Sequence, residues 1–102
     1  MIPEIAERQT ELESLCRSFG VHRLEVFGSA ATGAFRAEDS DLDFLVEFQA
    51  PVAPGYADRY LGLLESLERL FGRQVDLVVA SAIKNPFFRE SVERTKALLY
   101  AA

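Results

Sequence analysis

The stretch DSDLDFLVEF, residues 39–48, decides the fold because it combines the pattern of a buried strand with concentrated negative charge. Side chains alternate between the two faces of a β-strand. One face would carry only apolar side chains: Leu42, Phe44, Val46 and Phe48. The opposite face would carry Asp41, Asp43, Leu45 and Glu47. We therefore predict a strand from Asp41 to Phe48, whose start presents two carboxylates about 6–7 Å apart between Cα atoms.

These paired aspartates have one functional interpretation and two alternatives. Two like charges at this spacing repel each other, and two Mg²⁺ ions between them would offset the repulsion. The first alternative is a solvated acidic segment at the start of a strand. The second is a calcium loop, because Asp39, Asp41 and Asp43 match the first, third and fifth positions of an EF-hand. We reject it because Phe44 replaces the glycine and Ala50 the final glutamate of that loop.

A third carboxylate lies further along the chain, inside the apolar stretch QVDLVV, residues 74–79. An unpaired carboxylate there would be costly to bury. By alternation Asp76 faces away from Val75, Leu77 and Val79, near the start of its strand. We expect it to lie beside Asp41 and Asp43, where it could complete a metal site and accept a proton from an attacking hydroxyl. The alternative is a salt-bridged or edge-exposed aspartate.

The segment FGSAATG, residues 27–33, is a candidate anion site. Gly28 removes a side chain where the backbone turns, and Ser29 places a hydroxyl at the start of a short helix that Gly33 would end. Free N–H groups and the helix dipole favour phosphate at such a position. The segment alone is weak evidence, and it matches neither a Walker A loop nor GxGxxG. A phosphate site next to a carboxylate cluster is much more specific.

Strands alternate with helices along the chain, which predicts an α/β fold with the order α-β-α-β-α-β-α. The first helix would run from Pro3 to Gly20, and a cap at Asn85–Pro86 would begin a last helix that carries Phe88, Val92, Leu98 and Leu99. If Gly28 and Asp43 share one site, the first two strands run in opposite directions. We therefore predict a small mixed sheet of about three strands flanked by helices, in one domain over residues 1–102.

Composition excludes several classes of protein. The net charge is -5 and the basic residues are scattered, so the chain lacks the patch that a stand-alone DNA or RNA binder needs. A single cysteine, Cys16, excludes an internal disulfide and a cysteine-based zinc cluster. No run approaches the roughly 20 apolar residues that span a bilayer, and the acidic start does not match a signal peptide. We expect a soluble cytoplasmic protein that contacts neither nucleic acid nor membrane directly.

Residues 28–48, GSAATGAFRAEDSDLDFLVEF, together with VDLVV at 75–79, resemble the signature of the DNA polymerase β-like nucleotidyltransferase superfamily. The small size, and the ending IKNPFFRESVERTKALLYAA as a last helix, resemble its minimal nucleotidyltransferase (MNT) group. The resemblance implies transfer of a nucleoside monophosphate from a triphosphate to a hydroxyl. Gly28 and Ser29 would then hold the triphosphate and Asp41 and Asp43 would bind two Mg²⁺ ions. Asp76 would share the catalytic metal and help to deprotonate the acceptor.

MNT proteins are commonly antitoxins paired with a HEPN-domain ribonuclease toxin. The resemblance therefore implies a hetero-oligomer in which AMP passes from ATP to a toxin tyrosine. One departure from the group is that Ala31-Thr32-Gly33 stand where many members have the basic residue of GSxARG; Arg36 is a candidate for that charge. Two alternatives remain: an antitoxin that acts by binding alone, and a nucleotidyltransferase that modifies a small-molecule alcohol.

Overall fold

A computed structural model describes residues 1–32, 41–50 and 55–102. Gly33, Arg36 and Asp39, which the sequence analysis singled out, lie outside these residues. The helices are α1 Pro3–Glu7, α2 Gln9–Ser18, α3 Ser29–Thr32, α4 Tyr56–Phe71 and α5 Pro86–Thr95, with a 3-10 turn at Ala80–Ala82. The strands are β1 Val21–Phe27, β2 Leu42–Phe48, β3 Val75–Val79 and β4 Ala97–Ala101. None of the helices in these ranges is long and apolar enough to cross a membrane.

The strands form one mixed sheet in the order β3-β2-β1-β4. β1 runs antiparallel to both β2 and β4. β2 and β3 are parallel, and α4 makes the crossover connection that parallel neighbours require. The predicted mixed sheet and the opposite directions of the first two strands are therefore confirmed.

The apolar face of β2 lies in the main core, as the alternation predicts. Leu42, Phe44 and Val46 are fully buried there, and the ring of Phe44 stacks on Phe71 of α4 with centroids 5.9 Å apart. Burial of one such side chain contributes about 1.5–3 kcal/mol. Cys16 of α2 joins this core, where burial raises the pKa of its thiol to about 12. The opposite face of the sheet carries a smaller apolar cluster, namely Phe27, Leu45, Ile83 and Val92.

The prediction for the end of the chain was wrong, because a fourth strand replaces the end of the last helix. α5 begins at the predicted Asn85–Pro86 cap but ends at Thr95, and Lys96 is extended with φ -64° and ψ 145°. Beyond it Leu98 is 50% exposed and Leu99 is 6% exposed. Adjacent residues of a strand point to opposite faces, which accounts for this difference. Residues such as Ala and Leu favour helices. The free edge of β1 outweighs that preference by pairing with β4.

The predicted first helix is divided into α1 and α2 at Arg8, whose φ of -106° and ψ of 17° depart from helical values. The apolar spacing is nevertheless preserved, since Ile5 and Leu12 are both fully buried. The chain before α1 is attached to α3, because the Ile2 N–H donates a hydrogen bond of 2.9 Å to the Ala30 carbonyl. The break therefore separates a short helix that adjoins α3 from a longer one that packs on the sheet.

Candidate active site

Two of the predicted carboxylates are neighbours across parallel strands. Asp43 of β2 is the register partner of Asp76 of β3, as Leu42 is of Val75. Partners on neighbouring strands are about 4.8 Å apart, and in a parallel pair their side chains share one face of the sheet. Asp41 is exposed and immediately precedes β2, whose first residue is Leu42 rather than the predicted Asp41. The structure thus brings Asp43 and Asp76 together, with Asp41 two residues before Asp43.

The Gly28–Ser29 turn closes over the same carboxylates. Phe27, the last residue of β1, pairs with Asp43, so Gly28 leaves the sheet beside this side chain. Gly28 has a φ of +71°, and a Cβ there would lie 2.8 Å from Asp43 Oδ2. A larger residue would therefore meet a positive φ and a clash together. Glycine is required because the backbone and a carboxylate occupy adjacent space.

The short helix after this turn differs from the simple anion site expected from the sequence. α3 has four residues, and its Ala31 and Thr32 N–H groups donate to the Gly28 carbonyl at 3.1 and 3.2 Å. So short a helix has little macrodipole. The Gly28 N–H is also occupied, because it donates to the Thr95 hydroxyl at 3.0 Å. The turn therefore offers a ligand the Ser29 hydroxyl and a close backbone approach at Gly28 rather than a strong dipole.

The electrostatics of Asp43 are unfavourable in the absence of a ligand. Burial raises the pKa of Asp43 to about 6, with further contributions from the negative charges of Asp76 and then Asp41. Across residues 1–32, 41–50 and 55–102 no side chain forms a hydrogen bond or ion pair with its carboxylate. Among the residues that the structure describes, the charges that shift this partly buried carboxylate are negative, so an added cation would be stabilised there.

The donor set fits a hard divalent cation, although the chain does not preassemble a full coordination shell. Within the described parts of the chain, no group of three His, Cys, Asp or Glu side chains lies at metal-binding spacing. Asp43, Asp76 and Asp41 nevertheless supply carboxylate oxygens, the ligands that Mg²⁺ takes, and Mg²⁺ commonly keeps several waters and binds through one or two carboxylates plus substrate phosphates. The repulsion at Asp43 is the observation that favours a cation at this position.

Sequence reasoning missed one residue at the site. Thr95, at the end of α5, lies 67 residues from its hydrogen-bond partner Gly28. Phe88 of the same helix also contacts the end of β1, since its ring meets that of Phe27 edge-on with centroids 5.9 Å apart. No local motif marks Thr95, because its contact arises from the packing of α5 across the sheet.

Comparison with known proteins shows the family to which the chain belongs. The family model for the nucleotidyltransferase domain matches residues 10–99. A candidate protein adenylyltransferase of Methanocaldococcus jannaschii is 36% identical over 92 residues, which cover 90% of this chain and 88% of the relative. The protein adenylyltransferase MntA of Thermococcus cleftensis is 41% identical over 73 residues, or 72% of this chain and 70% of that protein.

Solved structures of nucleotidyltransferases are also similar to this chain. A candidate minimal nucleotidyltransferase has a TM-score of 0.75 at 38% identity, covering 91% of this chain and 90% of its own. A chain from the complex of a tri-AMPylated HEPN toxin of Shewanella oneidensis with an MNT antitoxin has a TM-score of 0.65 at 17% identity, covering 95% and 72%. At that identity the second likeness concerns the fold alone.

Proposed function

Because this chain belongs to the nucleotidyltransferase domain family, we propose that it transfers AMP from ATP to a hydroxyl group of a partner protein. The proposed acceptor is a tyrosine of a HEPN-type ribonuclease toxin, and the chain acts as the antitoxin of that pair. The observation that carries the proposal is the position of Asp43, between Asp76 on the parallel strand and the Gly28 backbone. The carboxylates and the proposed phosphate position therefore lie next to each other at one end of the sheet.

Each proposed role follows from the placement of the residue. Asp41 and Asp43 would hold two Mg²⁺ ions, with Asp76 sharing one of them. Bound magnesium would supply positive charge, which would offset the negative charge of the carboxylates and the triphosphate. Gly28 allows the triphosphate to approach the backbone closely, and the Ser29 hydroxyl donates to a phosphate oxygen. The Gly28–Ser29 turn and Asp43 adjoin, so a triphosphate held at one lies within reach of the other.

The transfer itself is a displacement at the α-phosphorus of ATP. The acceptor hydroxyl oxygen forms a bond to that phosphorus, the bond to the bridging oxygen of the β-phosphate breaks, and pyrophosphate leaves with the electron pair. Asp76, which is exposed beside Asp43, accepts the hydroxyl proton. Most of the catalytic effect of such a site comes from positioning and charge stabilisation.

A protein acceptor is supported by the relatives named as protein adenylyltransferases, one of which is 41% identical. The choice of a HEPN toxin is supported by the Shewanella complex, in which the toxin carries AMP and is bound to an MNT antitoxin. A stable hetero-oligomer would place the acceptor tyrosine at the exposed Asp76 side of the sheet. The proposed use of ATP and the proposed toxin partner support a cytoplasmic location.

The test is label transfer from α-labelled ATP with Mg²⁺ into total protein of the source cell. The native chain is compared with Asp43→Asn and with a matched control, Glu47→Gln, at an exposed position of the same strand and face. We expect one labelled protein band with the native chain and the control, and none with Asp43→Asn. Equal labelling by Asp43→Asn would refute the proposed site. Label in a small-molecule alcohol alone, with no protein band, would refute the proposed acceptor class.

A further inference from the structure

The hydrogen bond between Gly28 and Thr95 links the candidate nucleotide turn to α5. The Gly28 N–H donates to Thr95 Oγ1 at 3.0 Å. The same hydroxyl lies 3.2 Å from the carbonyl of Ser91 and 3.5 Å from that of Val92. A threonine hydroxyl accepts from one group while it donates its single proton to another. Thr95 therefore joins the Gly28 backbone to the backbone of the last turn of α5.

The position of Gly28 matters because its backbone lies directly against Asp43. A Cβ at Gly28 would be 2.8 Å from Asp43 Oδ2, so a shift of the turn changes the space beside the carboxylate. The turn is joined to α3 through the Gly28 carbonyl and to α5 through the Gly28 N–H. Loss of the Thr95 hydroxyl would leave this N–H without its partner and free the α5 side of the turn.

We propose that Thr95 is a positioning residue for nucleotide binding: its hydroxyl fixes the Gly28–Ser29 turn at the distance from Asp43 that a bound triphosphate requires. This inference rests on the proposed function, because it takes the turn to be the triphosphate site. Thr95 contacts neither the nucleotide nor the acceptor in this scheme. Because the Gly28 N–H is bonded to Thr95 within the protein, the phosphate contact at this turn is left to Ser29.

The test measures the Kd of a non-hydrolysable ATP analogue with Mg²⁺ for four proteins. Thr95→Val keeps the shape but removes the hydroxyl, and Thr95→Ser keeps the hydroxyl but removes the methyl group. Ser91→Ala is the control, because it removes a hydroxyl from an exposed position of the same helix. We expect Thr95→Val to raise the Kd about five- to tenfold, the effect of one lost hydrogen bond. Thr95→Ser and Ser91→Ala should remain within about twofold of the native chain.

Thermal unfolding and steady-state kinetics separate this role from a purely structural one. A Thr95→Val protein with a lowered Tm and an unchanged Kd at a temperature where it is folded would overturn the inference, as would a Thr95→Ser protein as weak as Thr95→Val. In the transfer assay the KM for ATP should rise with the Kd while kcat changes less than about threefold. Native chain that binds the analogue but labels no acceptor would count against the proposed transfer alone. Native chain that binds no analogue would overturn both.

Discussion

Two acidic side chains on neighbouring strands show opposite solutions to the same electrostatic problem. Glu25 of β1 and Asp43 of β2 share one face of the sheet, since Glu25 pairs with Leu45 and Phe27 with Asp43. Glu25 is only 5% exposed, and it has two cationic neighbours in Arg23 at 3.4 Å and Lys96 at 3.6 Å. Asp43 is less buried, and the charges that shift its pKa are those of two other aspartates.

The difference separates a structural carboxylate from one that is suited to a ligand. Removing a carboxylate from water is costly unless a partner compensates. Glu25 obtains that partner from the chain itself. Asp43 does not obtain one from the described residues, and a cation from solution would supply it. Four predictions test or refine this comparison, in order of decreasing expected effect.

The first prediction concerns transfer activity. Asp43→Asn should lower the initial rate of AMP transfer by at least about 100-fold, because it removes a charge that the proposed metal site requires. Glu25→Gln, two residues further along the same face, should lower it by less than about threefold. Initial rates with α-labelled ATP at saturating Mg²⁺ measure both. Similar losses of rate in the two variants would contradict the distinction between Asp43 and Glu25.

The second prediction concerns stability without divalent metal at pH 7. Glu25→Gln removes the carboxylate that Arg23 and Lys96 share, while Lys96 keeps its ion pair with Glu93 at 3.2 Å. It should lower the free energy of unfolding by about 1–2 kcal/mol. Asp43→Asn removes a repelled charge and should raise it by about 1 kcal/mol, a value discounted for solvent screening. Urea unfolding followed by circular dichroism gives both values. A loss of stability in Asp43→Asn would contradict the proposed repulsion.

The third prediction concerns stabilisation by added Mg²⁺. Mg²⁺ at about five times its Kd should stabilise the native chain by about 1 kcal/mol, which corresponds to a rise in Tm of about 4–8 °C. Asp43→Asn should show less than half of that rise, whereas Glu25→Gln should show all of it. Thermal scans with MgCl₂, and with NaCl at matched ionic strength as the control, make the comparison. Equal shifts in all three proteins would indicate binding elsewhere.

The fourth prediction is a pH dependence. The folded-state pKa of Asp43 is about 6, against an ordinary value of 3.8 for an aspartate. The folded protein therefore holds this proton more tightly than the unfolded chain does, and the contribution of Asp43 to stability falls as pH rises from about 4 to about 6. Asp43→Asn should match the native chain near pH 4 and exceed it by less than about 1 kcal/mol at pH 5, in metal-free buffer. A constant difference between the two proteins across this range would contradict the assignment.

The surroundings of Asp43 could largely be predicted from the sequence, whereas those of Glu25 could not. The alternation in residues 41–48 places Asp41 and Asp43 opposite the apolar residues, and the same pattern places Asp76 away from the core. These are local periodicities, which a sequence displays directly. One of the two cationic neighbours of Glu25 is different, because Lys96 reaches it only when α5 and β4 dock. Pairing across such a separation leaves no local pattern.

The prediction of a helix at the end of the chain was wrong for the same reason. Residues 97–101 contain Ala and Leu, which favour a helix in isolation, and their strand conformation depends on the unpaired edge of β1. Thr95 likewise becomes a neighbour of Gly28 only through this docking. Sequence reasoning therefore identified the acidic part of the candidate site and missed the part that tertiary contacts position.

The contact between Gly28 and Thr95 also has a consequence for the order of folding. It closes a loop of 67 residues, and β4 pairs with β1 across a similar separation. Contacts between distant parts of a chain form slowly, because the loss of chain entropy precedes the gain in contact energy. We therefore expect β1, β2 and β3 to associate before β4 joins them. A nascent chain would then fix the Gly28–Ser29 turn only with the final closure of the sheet, so the candidate site would be completed last.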